Sequence, residues 1–352
     1  MNIDELLRTA VEEGASDLHI TVGIPPTIRK DGRLVKIGEI SATPEDIKAF
    51  VKQMLNEERM KEFEDNGELD FSFSRQGIGR FRVNVYRQRG TYCIAVRSVN
   101  IDIPTFEQLG LPEAVKELAR KTKGLLLVTG PTGSGKSTTL AAIIDQINEE
   151  RDCHILTLED PIEYLHKHKK SMVNQREIGY DSHSYANALR AALREDPDVI
   201  LVGEMRDMET ISIAVTAAET GHFVLSTLHT VGAANTIDRI IDVFPPYQQQ
   251  QIRIQISAII QGVISQQLIP RKDKHGRVAA IETMVSSPAV RNLIREGKTH
   301  QIDSIIQTSG KFGMQTMDVS LAALYKRGMI SYDDAVIHAS DQDNIVRLMC
   351  RP

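Results

Sequence analysis

The sequence predicts a two-part chain: a small α+β domain, then a larger α/β domain built on a mainly parallel sheet. Three observations carry this. The runs "GLLLVT", "CHILTL", "DVILVG" and "HFVLST" are apolar at consecutive positions, as strands covered on both faces are. They alternate with helical stretches, the pattern of a parallel sheet. The first hundred residues instead alternate apolar and polar positions between glycine turns, which describes an antiparallel meander. A length of 352 residues suits about two domains at roughly 100–200 residues each.

The elements follow in order. Residues 2 to 13 predict a helix, with Ile3, Leu6, Leu7, Ala10 and Val11 at helical spacing and Gly14 as its stop. "PPTIRKDGRLVKIG" predicts two short strands around an Asp31–Gly32 turn. One helix is expected from about Thr43 to Glu64, with Pro44 in its first turn. The stretch "LDFSFSRQGIGRFRVNVYRQRGTYCIAVRSV" predicts a strand meander turning at Gly77–Gly79 and Gly90. Residues 1–100 thus form the first domain. Residues 101–111, with two prolines and little periodicity, form a linker, and 112–352 form the second domain. From about Pro245 onward the chain reads mostly as helices.

Composition narrows the function classes. Hydrophobic residues make up 41% and charged residues 25%, ordinary for a globular protein in water. A net charge of −5 lacks the basic footprint of general nucleic-acid binding. Cys93, Cys153 and Cys350 are scattered with no CxxC pair, which excludes a zinc ribbon and points to reduced thiols. The acidic, amphipathic N-terminus is not a signal peptide, and no apolar run approaches the roughly 18 residues of a membrane span. Membrane association is therefore expected only through a partner.

"GPTGSGKST", residues 130 to 138, fits the phosphate-loop pattern G-x-x-x-x-G-K-[ST]. It lies between a predicted strand, Leu125 to Thr129, and a predicted helix from Ser137, the context the motif requires. Backbone N–H groups of such a loop, Gly133, Ser134, Gly135 and Thr138 among them, bind phosphate oxygens at a helix N-terminus. Gly133 and Gly135 permit close backbone approach. Lys136 is expected on the β and γ phosphates of ATP, and the Ser137 hydroxyl on Mg²⁺.

Strand ends supply the acids. Glu204 follows the strand "DVILVG", at the sheet edge from which the phosphate loop leaves, where ligands of open α/β sheets bind. "LEDPIEY" brings Glu159, Asp160 and Glu163 after "CHILTL". Residue 203, where many such enzymes carry Asp, is glycine. The expected division of labour has Ser137 on the metal and Glu204 acting on the metal shell or the attacking water. Glu163 is the second candidate for polarising that water. The competing reading leaves both glutamates as solvated strand-end acids. His229, also at a strand's carboxyl end, is a candidate γ-phosphate sensor. His222, at the start of the same strand, is a weaker candidate, and His166 and His168 are expected in solvent.

Between Asp70 and Asp102 the chain has arginines at 75, 80, 82, 87, 89 and 97 and no acid. In "GRFRVNVYR" the strand period puts Phe81, Val83 and Val85 on one face and Arg80, Arg82 and Asn84 on the other. Unpaired arginines suit phosphate. Arginine fingers on a triphosphate, a solvated strand face and nucleic-acid contact all stay open from the residues alone.

The order "GPTGSGKST", "LEDPIEY", "VILVGEMRD", "STLHT" resembles the secretion-superfamily ATPases, in which these stretches are the Walker A loop, Asp box, atypical Walker B and His box. "ASDLHI", "PPTIRKDG" and "GRFRVNVYRQRG" extend the resemblance over nearly the whole chain. Within the family the chain is most similar to the pilus-retraction type. "AVRNLIREGK", residues 289 to 298, matches that type's C-terminal signature with Val290 for the usual Ile, and no tetracysteine insert falls in "IPRKDKHGRVAAIE". The resemblance implies a PAS-like N-terminal domain, a RecA-like P-loop ATPase domain and a homohexamer that uses ATP and Mg²⁺. It implies Arg82 as a contact to ATP, Arg97 as a candidate finger and Glu204 as the catalytic glutamate beside Glu163. The implied task is cytoplasmic: pilus retraction (twitching motility), peripheral at the inner membrane through the pilus platform protein and pilin machinery. Rival expectations are a pilus-assembly or secretion ATPase, a DNA-dependent RecA-type protein and a non-hydrolysing nucleotide sensor.

Overall fold

The structure is a computed structural model, and it describes residues 2–30, 32–99, 102–273 and 276–350. Asp31 of the expected turn, Ile101 of the expected linker, and Lys274 and His275 of the cysteine-free segment lie outside the described residues. The chain divides into two compact units, Met1–Ile101 with Glu163–Leu165, and Asp102–Ile162 with His166–Pro352.

In the first unit, helix α1 (Ile3–Glu12) leads to β1 (Asp17–Ile20), β2 (Thr27–Lys30) and β3 (Arg33–Lys36). Two helices follow, α2 (Pro44–Met54) and α3 (Glu57–Asn66), and then the meander β4 (Glu68–Arg75), β5 (Gly79–Gln88) and β6 (Thr91–Ser98). The sheet order is β3-β2-β1-β6-β5-β4, antiparallel at every pairing. The single helix expected from Thr43 to Glu64 is in fact two. Leu55 is extended, and the Asn56 side chain accepts from the N–H of Arg59, so a new helix starts there. The alternation in β5 holds: Phe81, Val83 and Val85 are buried, and Arg82 is exposed. Phe50, Phe63 and Phe81 are fully buried, and such side chains stabilise a core by about 1.5–3 kcal/mol each.

The arginines of this unit are not left unpaired as a group. Asp4 of α1 meets Arg75 at 2.6 Å and Asp17 of β1 meets Arg97 at 2.8 Å. The acids come from 71 and 80 residues away, so scanning for local partners missed them. Arg87 lies over the rings of Phe63 and Tyr92.

The second unit opens with short helices α4 (Phe106–Leu109) and α5 (Glu113–Ala119). Part of the expected linker is thus helical, because Thr105 and Gln108 form a capping box and Gly110 closes the turn with a positive φ. The central elements are β7 (Gly124–Thr129), α6 (Lys136–Glu150), β8 (His154–Glu159), β9 (Met172–Glu177), α7 (Tyr185–Ala192), β10 (Val199–Val202), α8 (Met208–Glu219), β11 (Phe223–Leu228), α9 (Ala233–Asp242) and α10 (Pro246–Ile259). From Pro245 onward the chain is mostly helical, as expected, but not wholly. Two long strands, β12 (Ile260–Pro270) and β13 (Arg277–Val285), precede helices α11 (Pro288–Arg295), α12 (Ile302–Thr308), α13 (Met317–Lys326), α14 (Tyr332–Ile337) and α15 (Gln342–Cys350).

The seven strands run β13-β12-β7-β11-β10-β8-β9. All pair in parallel except β13, which returns antiparallel to β12. Every residue of β7, β10 and β11 is buried, which is why their sequences are continuous apolar runs. Val290, the variant residue of the C-terminal signature, is fully buried on α11 with Ile294. Cys93, Cys153 and Cys350 are free thiols. Among the described residues no helix is long and apolar enough to cross a membrane.

Candidate active site

The phosphate loop leaves the carboxyl end of β7 and enters α6 at Lys136, one residue earlier than expected. No side chain caps α6; its N-cap is Gly135 at φ +86°. The dipole of the helix favours an anion at that N-terminus. Lys136 is buried, and its Nζ donates to the carbonyls of Gly130 at 2.9 Å and Pro131 at 3.0 Å. Ser137 and Thr138 are partly exposed on the first turn. The buried Ser134 Oγ has no partner among the described residues.

Sequence reasoning missed what grips this loop. Gln266 of β12 is buried; its Nε2 donates to the Ser134 carbonyl at 2.6 Å, and its Oε1 accepts from Thr139 Oγ1 at 2.7 Å. A Cβ on Gly130 would lie 2.1 Å from the Gln266 carbonyl, and one on Gly135 would lie 2.8 Å from Gln266 Nε2. Arg277 of β13 adds a bond to the Gly133 carbonyl at 3.3 Å. No local signal flags these residues, because they come from a hairpin inside a stretch read as mostly helical.

Across the same sheet edge, Glu204 lies two residues beyond β10 and His229 one beyond β11. Glu204 Oε2 sits 2.8 Å from Arg206 Nε and 3.6 Å from His229 Nε2. Arg206 is a further residue that the sequence reading did not single out. Thr132, Glu204, Arg206, Thr227, His229 and Arg239 line a cleft of about 590 Å³. This brings the phosphate loop's rim, the glutamate and the histidine together.

Gly203 has a steric reason. A Cβ there would lie 2.8 Å from Tyr185 Oη and 3.2 Å from the Leu158 carbonyl. The phenol of Tyr185 occupies the space that a larger strand-end side chain would need. Burial pushes its pKa up, and the charges of Glu204, Asp160 and Glu159 push it further.

Glu163 is exposed and belongs with the first unit. Arg82 and Arg97 face each other across β5 and β6. Arg97 is held by Asp17, whereas Arg82 has no ion-pair partner among the described residues. His222 sits at the opposite sheet edge, its Nδ1 2.9 Å from the Ala217 carbonyl. His166 is not in solvent as expected: its Nδ1 is buried without a partner, and burial lowers its pKa to about 4. Among the described residues no three His, Cys, Asp or Glu side chains are placed to hold a metal by themselves.

A gripped phosphate loop at a parallel sheet edge, faced by a strand-end glutamate, defines a P-loop nucleoside triphosphatase. Residues 1–323 match the family described as type II/IV secretion system protein. The chain is 49% identical to a type IV pilus retractation ATPase, PilT, of Pseudomonas aeruginosa, covering 98% of this chain and 100% of that one. It is 46% identical to a twitching motility protein of Neisseria gonorrhoeae, covering 98% and 92%. The crystal structure of the pilus retraction motor PilT with bound ADP superposes with a TM-score of 0.90 at 51% identity, covering 99% of each chain. The chain belongs to the type II/IV secretion system protein family, and it is an ATP-hydrolysing enzyme with a RecA-like ATPase domain.

Proposed function

We propose that this chain is the motor of type IV pilus retraction: a hexamer that hydrolyses ATP and spends its free energy on withdrawing pilin subunits. The observation that carries the proposal is the end-to-end match to a protein named for pilus retractation. The motor works on the cytoplasmic face of the inner membrane, docked to the pilus platform protein. Its partners include neither nucleic acid nor the lipid interior.

The backbone N–H groups from Gly133 to Thr138 and the ammonium of Lys136 bind the phosphates. The donor set fits magnesium, a hard cation that takes oxygen ligands and keeps several waters and phosphate oxygens. Ser137 would hold it directly, with Glu204 and Glu163 as candidates toward its shell. When bound, magnesium neutralises charge on the β and γ oxygens. Arg206 and His229 both approach Oε2 of Glu204. Its Oε1 remains to accept a hydrogen bond from the attacking water. Glu204 is thus the leading candidate for general base, with Glu163 second. His229 senses the γ-phosphate. Arg82 and Arg97 take phosphate charge. Loss of the γ-phosphate removes contacts that favour one arrangement of the motor, as any ligand-driven shift requires.

The test pairs biochemistry with motility. Wild-type protein is expected to form hexamers, hydrolyse ATP only with magnesium, and restore twitching to a strain lacking its retraction ATPase. Glu204→Gln should bind nucleotide, lose about 100-fold in turnover and fail to restore twitching. A monomer that leaves ATP intact in magnesium overturns the proposal, and so does a Glu204→Gln enzyme with unchanged turnover.

A further inference from the structure

The start of α9 poses a problem that its own sequence does not solve. Gly232, its N-cap at φ +86°, provides no side-chain cap, yet the first backbone N–H groups of a helix need acceptors. They find them far along the chain. Ser265 Oγ accepts from the N–H of Gly232 at 2.9 Å, and Glu282 Oε1 accepts from the N–H of Ala233 at 2.8 Å.

These two acceptors are direct cross-strand partners on β12 and β13. The same row continues through Ser265 and Thr129, and through Thr129 and Leu228. Thr129 immediately precedes the phosphate loop and Leu228 immediately precedes His229. One row across four strands therefore sets both loops that face the nucleotide. Thr236 of α9 adds a link from inside: its Oγ1 donates to the Gly232 carbonyl at 2.7 Å and lies 2.7 Å from Thr230 Oγ1.

Glu282 does more than cap α9. It is 7% exposed, and the backbone N–H of Met317, the first residue of α13, favours its charged form. Burial pushes its carboxyl up, and nearby Asp303 and Asp318 add to that, while the two N–H groups oppose it. A buried carboxylate is costly unless hydrogen-bonded. The start of α9, with a contribution from the start of α13, offsets that cost.

We propose that Glu282 is a positioning residue for His229. Through Ala233 it fixes the loop that carries the histidine. The proposal rests on the reading that His229 takes part in hydrolysis. A loop released at one end still holds its histidine near the site but not at the reacting distance, and small misplacements remote from the chemistry cost turnover steeply. Glutamine at 282 keeps one acceptor oxygen and turns an N–H donor toward the other helix start.

The experiment compares steady-state ATP hydrolysis and thermal melting of the full-length protein and four variants. His229→Ala should lower kcat. Glu282→Gln should lower kcat about 10-fold at a near-normal KM for ATP. Ser320→Ala removes the hydroxyl that accepts from the Ile281 N–H, so it loosens β13 from α13 without touching α9. It should keep wild-type kcat. Ser265→Ala should lower kcat in the same direction as Glu282→Gln, by a smaller factor. If His229→Ala is slow while Glu282→Gln matches wild type, the positioning role is overturned and the histidine reading stands. Wild-type turnover in His229→Ala overturns that reading. Should Glu282→Gln fail to fold, a Ser265→Ala enzyme with unchanged kcat overturns the proposal. Equal loss of kcat in Ser320→Ala would also overturn it, by showing general loosening.

Discussion

Gly203→Ala tests why the acidic strand end lacks a second carboxylate. The added methyl would stand 2.8 Å from Tyr185 Oη, 3.2 Å from the Leu158 carbonyl and 3.4 Å from Glu159 Cα. The Leu158 carbonyl cannot retreat easily, because it accepts from the N–H of Gly203 at 2.7 Å. Tyr185 must move instead, and it is packed against the core beneath α7 and α8. Overpacking of this kind costs about 1–3 kcal/mol. At about 2–4 °C per kcal/mol for a unit of 150–250 residues, a 2 kcal/mol loss lowers Tm by about 4–8 °C. Tyr185→Phe removes the nearest clashing atom, and Tyr185 Oη makes no hydrogen bond among the described residues. The double variant should therefore recover part of the loss, a coupling of about 1 kcal/mol in a double-mutant cycle. The remaining deficit belongs to the Leu158 carbonyl. Thermal melting followed by circular dichroism reads all four proteins. A Gly203→Ala protein that melts with wild type refutes the steric account. So does a deficit of equal size with and without the tyrosine hydroxyl.

Two further predictions follow from buried polar groups. Gln266→Ala leaves the Ser134 carbonyl and the Thr139 hydroxyl without their partner, at roughly 1–3 kcal/mol per buried group. The phosphate loop loses its preset shape, so the KM for ATP should rise about 10-fold, and an unchanged nucleotide titration would contradict this. His166 titrates near 6.5 when unfolded and at about 4 when folded. Between those values the unfolded chain binds the extra proton, so the stability contribution is present above pH 6.5. It is lost as pH falls toward 4, by up to about 3 kcal/mol. His166→Leu should flatten that part of the stability profile relative to wild type, and parallel profiles from pH 7 to 4 would show that the imidazole is not the cause.

Local chemistry was legible and remote chemistry was not. The phosphate loop, Glu204 and His229 announce themselves because each follows a short apolar strand whose end fixes its place. Gln266 and Glu282 do not, because α10 runs into β12 without a turn at Ile259–Ile260. "IIQGVISQQLIP" mixes glutamines with apolar residues, which fits a helix as readily as a strand that is polar where it meets a loop. Only pairing with β7 decides the matter. The same limit hid Asp4 and Asp17 from the arginine run and Asn56 from the expected long helix. Pairing partners tens of residues away, and a cap formed by one side chain, leave no periodic trace.

The glycines of the phosphate loop show how the two kinds of information combine. All three have positive φ: Gly130 at +142°, Gly133 at +78° and Gly135 at +86°. The sequence motif suggests that the last two serve the phosphate alike. Their surroundings separate them. Nothing lies within 4 Å of a Cβ built on Gly133, whereas Gly130 and Gly135 press against Gln266. Gly133 is therefore the position whose open space suits an incoming phosphate. Gly130 and Gly135 are demanded by the protein's own strand β12, which must come that close for Gln266 to hold the Ser134 carbonyl. A side chain at Gly133 would obstruct the ligand, while one at Gly130 or Gly135 would push away the strand that shapes the loop before any ligand arrives.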